Sequence, residues 1–236
     1  MAEFLSYVPY EGLAPDRARS GNVDVWSPRL ASLLVNIGSA IDSTFKTFKD
    51  SRHLGASEKV QELREKKNPN IGDYATTYGS VYPLARKAVY FLHDHSPLYP
   101  WQTWQMTEPQ QDRTPLWWYA YNRVKHDRFA NLKMAKLRTT MDALAAFFSA
   151  CVLILEMRNH LYSLGRIHHV ETYARDDVWG IEAWLGGGPP ELTQLQDLGD
   201  RFELPVYVKT PLFALFLSSD KNVQGQQELL HQIAPL

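Results

Sequence analysis

Residues 141–157 read MDALAAFFSACVLILEM, and this nearly unbroken apolar run decides the fold. A surface helix carries an apolar stripe on one side, whereas apolar residues all round a helix indicate burial on most sides. The run belongs to a predicted helix from about Lys133 to Ser163, which Gly165 would end. The sequence therefore predicts a long buried helix, either at the centre of a helical bundle or across a contact between two copies.

A second helix is predicted upstream, from Ser27 to about Lys49. Ser27 is a favourable N-cap residue, and Pro28 suits the first helical position. The apolar residues that follow recur at spacings of three and four, so that one face of the helix carries Leu30, Leu33, Leu34, Ile37, Ile41 and Phe45. We expect this face to pack in the core.

A third helix is predicted to begin at Pro115 and to contain WWYAYNRVKHDRF, residues 117–129. At about 100° per residue, Asn122 and His126 face the same way, and Arg123 lies within reach of His126. Unrolled over the whole motif, the predicted helix carries two adjoining stripes. One holds Trp117, Tyr121, Val124 and Arg128, and the other holds Trp118, Asn122, Lys125, His126 and Phe129.

The rest of the chain is less regular. We expect a short helix within residues 57–70 and an interrupted helix over residues 73–86, since Gly79 and Pro83 disturb it. KAVYFLH, residues 87–93, favours a strand that could pair with WQTWQM, residues 101–106. The apolar runs LPVYV and PLFALFL near the C-terminus could be strands or buried extended segments.

These elements predict a mainly α protein with a small β element and an irregular C-terminal extension. The expected organisation is an N-terminal arm over residues 1–26, a helical domain over residues 27–164, and an extension over residues 165–236 packed on the bundle. The N-terminus lacks the pattern of a signal peptide, and the apolar run is too short to span a bilayer. A cytoplasmic protein without membrane contact is therefore expected.

The charge distribution restricts where an anion could bind. The net charge of the chain is −1, so phosphate binding must come from a local patch. One patch is visible between Arg123 and Arg138, where Asp127 is the one acid among the basic residues Arg123, Lys125, Arg128, Lys133, Lys136 and Arg138. This patch is either a phosphate-binding surface or an ordinary solvated helix face.

The third helix also carries the candidate chemistry. His126 could transfer a proton during metal-independent cleavage of RNA, with Arg123 stabilising charge on the phosphate and Asn122 orienting the group. The residues proposed to contact phosphates or stack bases are Lys125, Arg128, Lys133, Trp118 and Tyr121. A purely structural alternative is that Asn122 and His126 form hydrogen bonds with buried backbone or each other.

The order of these features resembles the HEPN superfamily: a Ser-Pro-started helix, a variable middle, and Tyr121, Asn122, Lys125, His126 and Arg128 ahead of a long apolar helix. The resemblance covers residues 27–163 and implies a helical bundle that is commonly dimeric. Many such proteins are metal-independent ribonucleases in toxin–antitoxin, CRISPR and phage-defence systems, and others only bind.

The active members place four to six residues between an Arg-polar pair and a His. Here two residues separate Arg123 from His126, and Arg158-Asn159 meets no His at the required distance. Two functions therefore follow from the resemblance. One is an RNA-directed role in bacterial stress or phage defence, with endoribonuclease activity. The other is an inactive helical module that binds a protein partner, a nucleotide or nucleic acid.

No metal or cofactor is expected. His93 and His95 form one histidine pair and His168 and His169 another, but neither has a nearby carboxylate set with recognisable ligand spacing. Cys151 is a single cysteine within the apolar run, which favours a buried side chain.

Overall fold

The computed structural model describes residues 25–93, 95–105, 113–163, 171–172, 206–209 and 212–216. Helices dominate this part of the chain, which confirms the mainly α fold class. The α-helices are α1 (Pro28–Phe48), α2 (Glu58–Glu65), α3 (Ile71–Val81), α4 (Leu116–His126), α5 (Arg128–Asn131), α6 (Leu137–Leu153) and α7 (Leu155–Ser163). The strands are β1 (Val89–Phe91), β2 (Pro97–Leu98), β3 (Glu171–Thr172), β4 (Val206–Lys209) and β5 (Phe213–Phe216).

Helix α1 forms where the sequence predicts it. The Ser27 side chain accepts a hydrogen bond from the Leu30 backbone amide at 3.1 Å, and Pro28 occupies the first turn. Leu33 lies half-buried at the edge of the predicted apolar face. The rest of that face is buried, namely Leu30, Leu34, Ile37, Ile41 and Phe45.

The middle of the chain contains two helices that differ from the predicted boundaries. The short helix α2 ends at Glu65, before the Asn-Pro pair. Helix α3 starts earlier than predicted because Asn70 and Asp73 form a reciprocal capping box at its N-terminus. It then continues through Gly79, whose missing side chain accommodates the Trp104 ring: an added Cβ would lie 3.3 Å from Trp104 Cε3.

The long apolar segment is two helices, so the prediction of one helix from Lys133 to Ser163 is wrong. Lys133 lies in a 3-10 turn, and α6 gives way to α7 at Ile154, whose backbone is extended. The backbone groups stay paired there, since the Ile154 amide donates to the Ala150 carbonyl and the Arg158 amide donates to the Ile154 carbonyl. The change of direction allows Glu156 of α7 to accept hydrogen bonds from Tyr82 Oη, at 2.7 Å, and from Ser51 Oγ.

An antiparallel sheet in the order β2-β1-β5-β4-β3 joins the C-terminal segment to the middle of the chain. KAVYFLH contains β1 as predicted, and the runs LPVYV and PLFALFL contain β4 and β5. The predicted pairing of β1 with WQTWQM is wrong, since β1 pairs with Pro97–Leu98.

The segment Gln102–Gln105 is a 3-10 helix for a packing reason. Residues three apart in a 3-10 helix face the same side, whereas in a strand they face opposite sides. Trp101 and Trp104 are both buried, with ring centroids 4.4 Å apart, and Trp101 Nε1 donates to Ser149 Oγ at 3.0 Å. Only the helical turn directs both indoles into the core.

The core lies between α1, α3, α4 and α6. Phe45 is at its centre, surrounded by four aromatic rings whose centroids lie 4.7–5.9 Å from its own: Tyr74, Tyr78, Trp101 and Trp104. Cys151 is buried as the sequence predicts, and burial raises the pKa of its thiol to about 12. Among the described residues, no helix combines the length and apolarity needed to cross a membrane.

Candidate functional site

Helix α4 has a buried face and an outer face. Its core side carries Trp117, Trp118, Ala120, Tyr121 and Val124, all buried. Its outer stripe follows a spacing of three and four residues and consists of Leu116, Tyr119, Arg123 and His126, all exposed. The outer stripe is therefore apolar in its first half and cationic in its last turn.

The helix ends at His126, so the motif is not one continuous helix. Asp127 has extended backbone angles of φ −145° and ψ 90°, and its side chain accepts from the Ala130 amide at 3.0 Å. Asp127 thus caps α5 instead of continuing α4. The predicted stripes are wrong beyond His126, because Arg128 and Phe129 belong to α5.

A side chain fixes the position of α5 against α4. Asn131 Nδ2 donates to the Arg123 carbonyl at 3.2 Å and to the Asp127 carbonyl at 2.8 Å. The last-turn carbonyl of Arg123 also accepts from the Asp127 amide at 3.0 Å. The Asp127 carbonyl likewise accepts from the Asn131 amide, so each Asn131 side-chain bond is a second bond to its carbonyl. The two side-chain bonds keep the cations of α5 beside those of α4.

Tyr121 anchors α4 on α1. Its ring lies against Gly38, where an added Cβ would be 2.7 Å from Cε2 and nearer still to Cδ2 and Cγ. Its hydroxyl lies 3.4 Å from Ser39 Oγ and accepts from Lys125 Nζ at 3.0 Å. This hydrogen bond raises the pKa of Lys125, and the charge of Asp42 adds to the effect.

Five residues make up what we call the basic surface: Arg123, Lys125, His126, Arg128 and Lys133, all exposed. Arg128 extends it to α1, where its Nη2 donates to Ser32 Oγ at 2.8 Å. Arg138 lies outside it, because its Nε is 3.2 Å from a carboxylate oxygen of Asp142. In the described part of the chain, no carboxylate forms an ion pair with a member of the basic surface.

The other predicted site residues have different environments. Asn122 is half-buried on the flank of the outer stripe, and no described residue forms a hydrogen bond with its side chain. Trp118 and Tyr121 are 5% and 1% exposed, and their ring centroids are 5.1 Å apart in an edge-to-face contact. Both rings are packed in the core and present no face to solvent.

The exposed aromatic side chains near the basic surface are instead Tyr119 and Phe129. Tyr119 precedes Arg123 by one turn on the outer stripe and is 49% exposed. Phe129 follows Arg128 in α5 and is 95% exposed. The signal for Tyr119 was available in the sequence, since its angular position opposes the buried face, but Phe129 could be placed only once the helix break was known.

The histidine pairs do not form a metal centre in the described part of the chain, where no three His, Cys, Asp or Glu side chains come together to hold an ion. His93 and His95 lie at the β1–β2 connection, and His168 and His169 lie outside the described residues.

The fold and site define a mainly α protein with a small antiparallel sheet and a basic surface at the end of α4. Comparison with protein-family models, curated proteins and solved structures finds no match to the chain. The resemblance to HEPN proteins therefore stays a prediction, and it depends on the residues of α1, α4 and the apolar segment that follows.

Proposed function

We propose that the protein binds RNA through the basic surface and that His126 transfers a proton in metal-independent cleavage of the strand. The observation that carries the proposal is the exposure of Arg123, Arg128 and Lys133 around His126 without an acidic partner among the described residues. Unpaired guanidinium and ammonium groups favour a ligand with closely spaced negative charges, and the RNA backbone is such a ligand.

The chemistry needs a proton acceptor, a proton donor and stabilisation of charge. The 2′-hydroxyl attacks the adjacent phosphorus, the bond to the 5′ oxygen breaks, and the products carry a 2′,3′-cyclic phosphate and a 5′-hydroxyl. An imidazole side chain can take the first proton or give the second near neutral pH, with water in the other role. Arg123, one turn before His126 on the same stripe, can contact the non-bridging oxygens.

The resemblance to HEPN proteins supports an RNA-directed role in bacterial stress or phage defence. It also supports a dimer, because such bundles commonly associate in pairs, and we propose a cytoplasmic location for it. Leu116, with 83% of its surface accessible, gives the start of the outer stripe an apolar side chain that a protein contact would use.

A second candidate is a catalytically silent helical module that binds a protein partner, a nucleotide or nucleic acid. The two-residue interval between Arg123 and His126 favours it, since active HEPN proteins have a longer interval. In this case the basic surface is a docking face and His126 makes no proton transfer.

Cleavage of total RNA in the presence of a chelator separates the two candidates. We expect products ending in 2′,3′-cyclic phosphate, and a rate at least roughly 100-fold lower for His126→Ala, because general acid–base catalysis contributes on that order. His53→Ala is the matched control, since His53 is also exposed but lies in the 3-10 turn before α2. Intact RNA with the parent protein, or equal cleavage by His126→Ala, would exclude catalysis by this residue.

A further inference from the structure

Phe129 is the most exposed large hydrophobic side chain of the described residues, at 95%. A phenylalanine normally buries most of its ring, because apolar surface is unfavourable in water. Its exposure here is not a consequence of a loose segment. Asp127 caps the N-terminus of α5, and Asn131, the last residue of α5, donates hydrogen bonds to the Arg123 and Asp127 carbonyls at the end of α4.

Cationic side chains flank this ring. Arg128 precedes it and is held against α1 by Ser32, and the Asn131 bonds place α5 beside the last turn of α4, which carries Arg123 and His126. Tyr119 lies one turn before Arg123 on the outer stripe. The surface thus combines two exposed rings with cations that have no acidic partner among the described residues, and a nucleic acid strand offers bases for the rings and phosphates for the cations.

We propose that Phe129, together with Tyr119, forms a stacking platform for unpaired bases, so that the basic surface selects single-stranded RNA over duplex RNA. This inference rests on the proposed function, and it specifies the ligand class. The predicted stacking residues, Trp118 and Tyr121, cannot serve because their rings are enclosed in the core.

The selectivity follows from what each ligand offers to an exposed ring. In an A-form duplex the bases stack on each other, so the protein meets phosphates and 2′-hydroxyls but no free base face. In a single strand, a base can leave its neighbours and stack on an aromatic side chain while the flanking phosphates contact Arg123 and Arg128. Duplex binding should therefore depend on the cations alone.

Binding measurements can separate stacking from cleavage if the probe resists attack by the 2′-oxygen. The probes are 2′-O-methyl oligouridine, which does not self-pair, and a longer blunt duplex of 2′-O-methyl RNA, so that neither probe carries a free 2′-hydroxyl. We expect Phe129→Ala to bind the oligouridine roughly 5- to 150-fold more weakly, the range that one lost base–aromatic stack gives. Its affinity for the duplex should stay unchanged, whereas Arg128→Ala should weaken binding of both probes.

The controls distinguish a failure of this inference from a failure of the proposed function. Tyr99→Ala removes another exposed aromatic side chain, outside α4 and α5, and should leave both affinities unchanged. If the parent protein binds RNA but Phe129→Ala weakens both probes equally or neither, the stacking platform is excluded and RNA binding stands. A drop in molecular mass in solution, with unchanged RNA affinity, would assign Phe129 to a protein contact and overturn the inference. If the parent protein binds neither probe, the proposed function fails as well.

Discussion

At the scale of single residues, Gly38 determines how closely α1 approaches α4. The Tyr121 ring occupies the space where a Gly38 side chain would be, and Tyr121 is itself buried against Trp118. The hydroxyl of Tyr121 is held by Lys125 and lies near Ser39, so the ring has little freedom to move aside. Because Lys125 donates to this hydroxyl, the close approach of the two helices also positions one member of the basic surface.

We predict that Gly38→Ala destabilises the protein by roughly 1–3 kcal/mol, the usual cost of overpacking a core. The higher helix propensity of alanine, worth about 1 kcal/mol, would offset only part of the clash. Urea denaturation followed by circular dichroism measures the effect. Ser43→Ala, at an exposed position of the same helix, is the control and should change the stability little. If Gly38→Ala proves as stable as the control, α1 and α4 are farther apart than the structure places them.

At the scale of elements, the end of α4 organises the candidate site. The sequence could predict α1 closely, because its N-cap and its apolar periodicity are local signals in Ser27, Pro28 and the residues after them. It could not predict the end of α4 in the same way, since neither glycine nor proline interrupts KHDRF. The break depends on the Asp127 side chain accepting from the Ala130 amide and on the Asn131 side chain donating to the Arg123 carbonyl of α4. Such side-chain bonds to the backbone compete with continuation of the helix.

The parts of the site that depend on local sequence signals could be predicted, and those that depend on packing or on the helix break could not. The cations of the last turn of α4 are exposed, as expected for polar residues opposite a buried aromatic face. The choice of aromatic residues could not be predicted, because Trp118 and Tyr121 have the chemistry for stacking but the angular position of core residues. Likewise, Trp101 and Trp104 looked like strand residues until the packing around Phe45 required both rings on one side.

Asn131→Ala should loosen α5 without unfolding the protein. The variant loses hydrogen bonds to the Arg123 and Asp127 carbonyls, but Asn131 is only half-buried and is not part of the buried core. We expect faster hydrogen exchange at the amides of Asp127, Ala130 and Asn131, with a shift in overall stability below about 1 kcal/mol. Asn36→Ala, an exposed asparagine on α1, provides the comparison. Unchanged hydrogen exchange over residues 127–131 would show that the Asn131 hydrogen bonds do not hold α5 in place.

At the scale of the whole molecule, the C-terminal segment contributes to the same core as the helices. β5 pairs with β1, with Tyr90 opposite Ala214 and Phe91 opposite Phe213. Phe213 is buried, and its ring centroid lies 6.1 Å from that of Phe91 and 5.9 Å from that of Phe148 on α6. The Phe213 side chain therefore packs the sheet against α6, although Phe148 and Phe213 are more than 60 residues apart in the sequence.

Phe213→Ala should destabilise the helices as well as the sheet. Removing a buried phenylalanine side chain costs roughly 3–5 kcal/mol, because the transfer free energy is lost and a cavity remains. If the sheet and helices unfold together, tryptophan fluorescence and hydrogen exchange at the Leu92 amide, which donates to the Leu212 carbonyl, will report one transition, shifted equally in urea. The two signals sample different parts of the fold, since the Leu92 amide bonds to the C-terminal segment at the end of β1, whereas Trp101, Trp104 and Trp117 lie among the helices and not in the sheet.

Ser43→Ala serves again as the surface control, because Ser43 is exposed on α1 and its truncation removes little buried area. A Phe213→Ala transition that moves for one signal and not the other would divide the chain into two units, each stable alone. In that case the basic surface, whose members lie on α4, α5 and the 3-10 turn that contains Lys133, would persist when the sheet is lost. A single shifted transition would instead make RNA binding at the end of α4 depend on the C-terminal segment, through the packing of Phe213 on α6 and of α6 on α1.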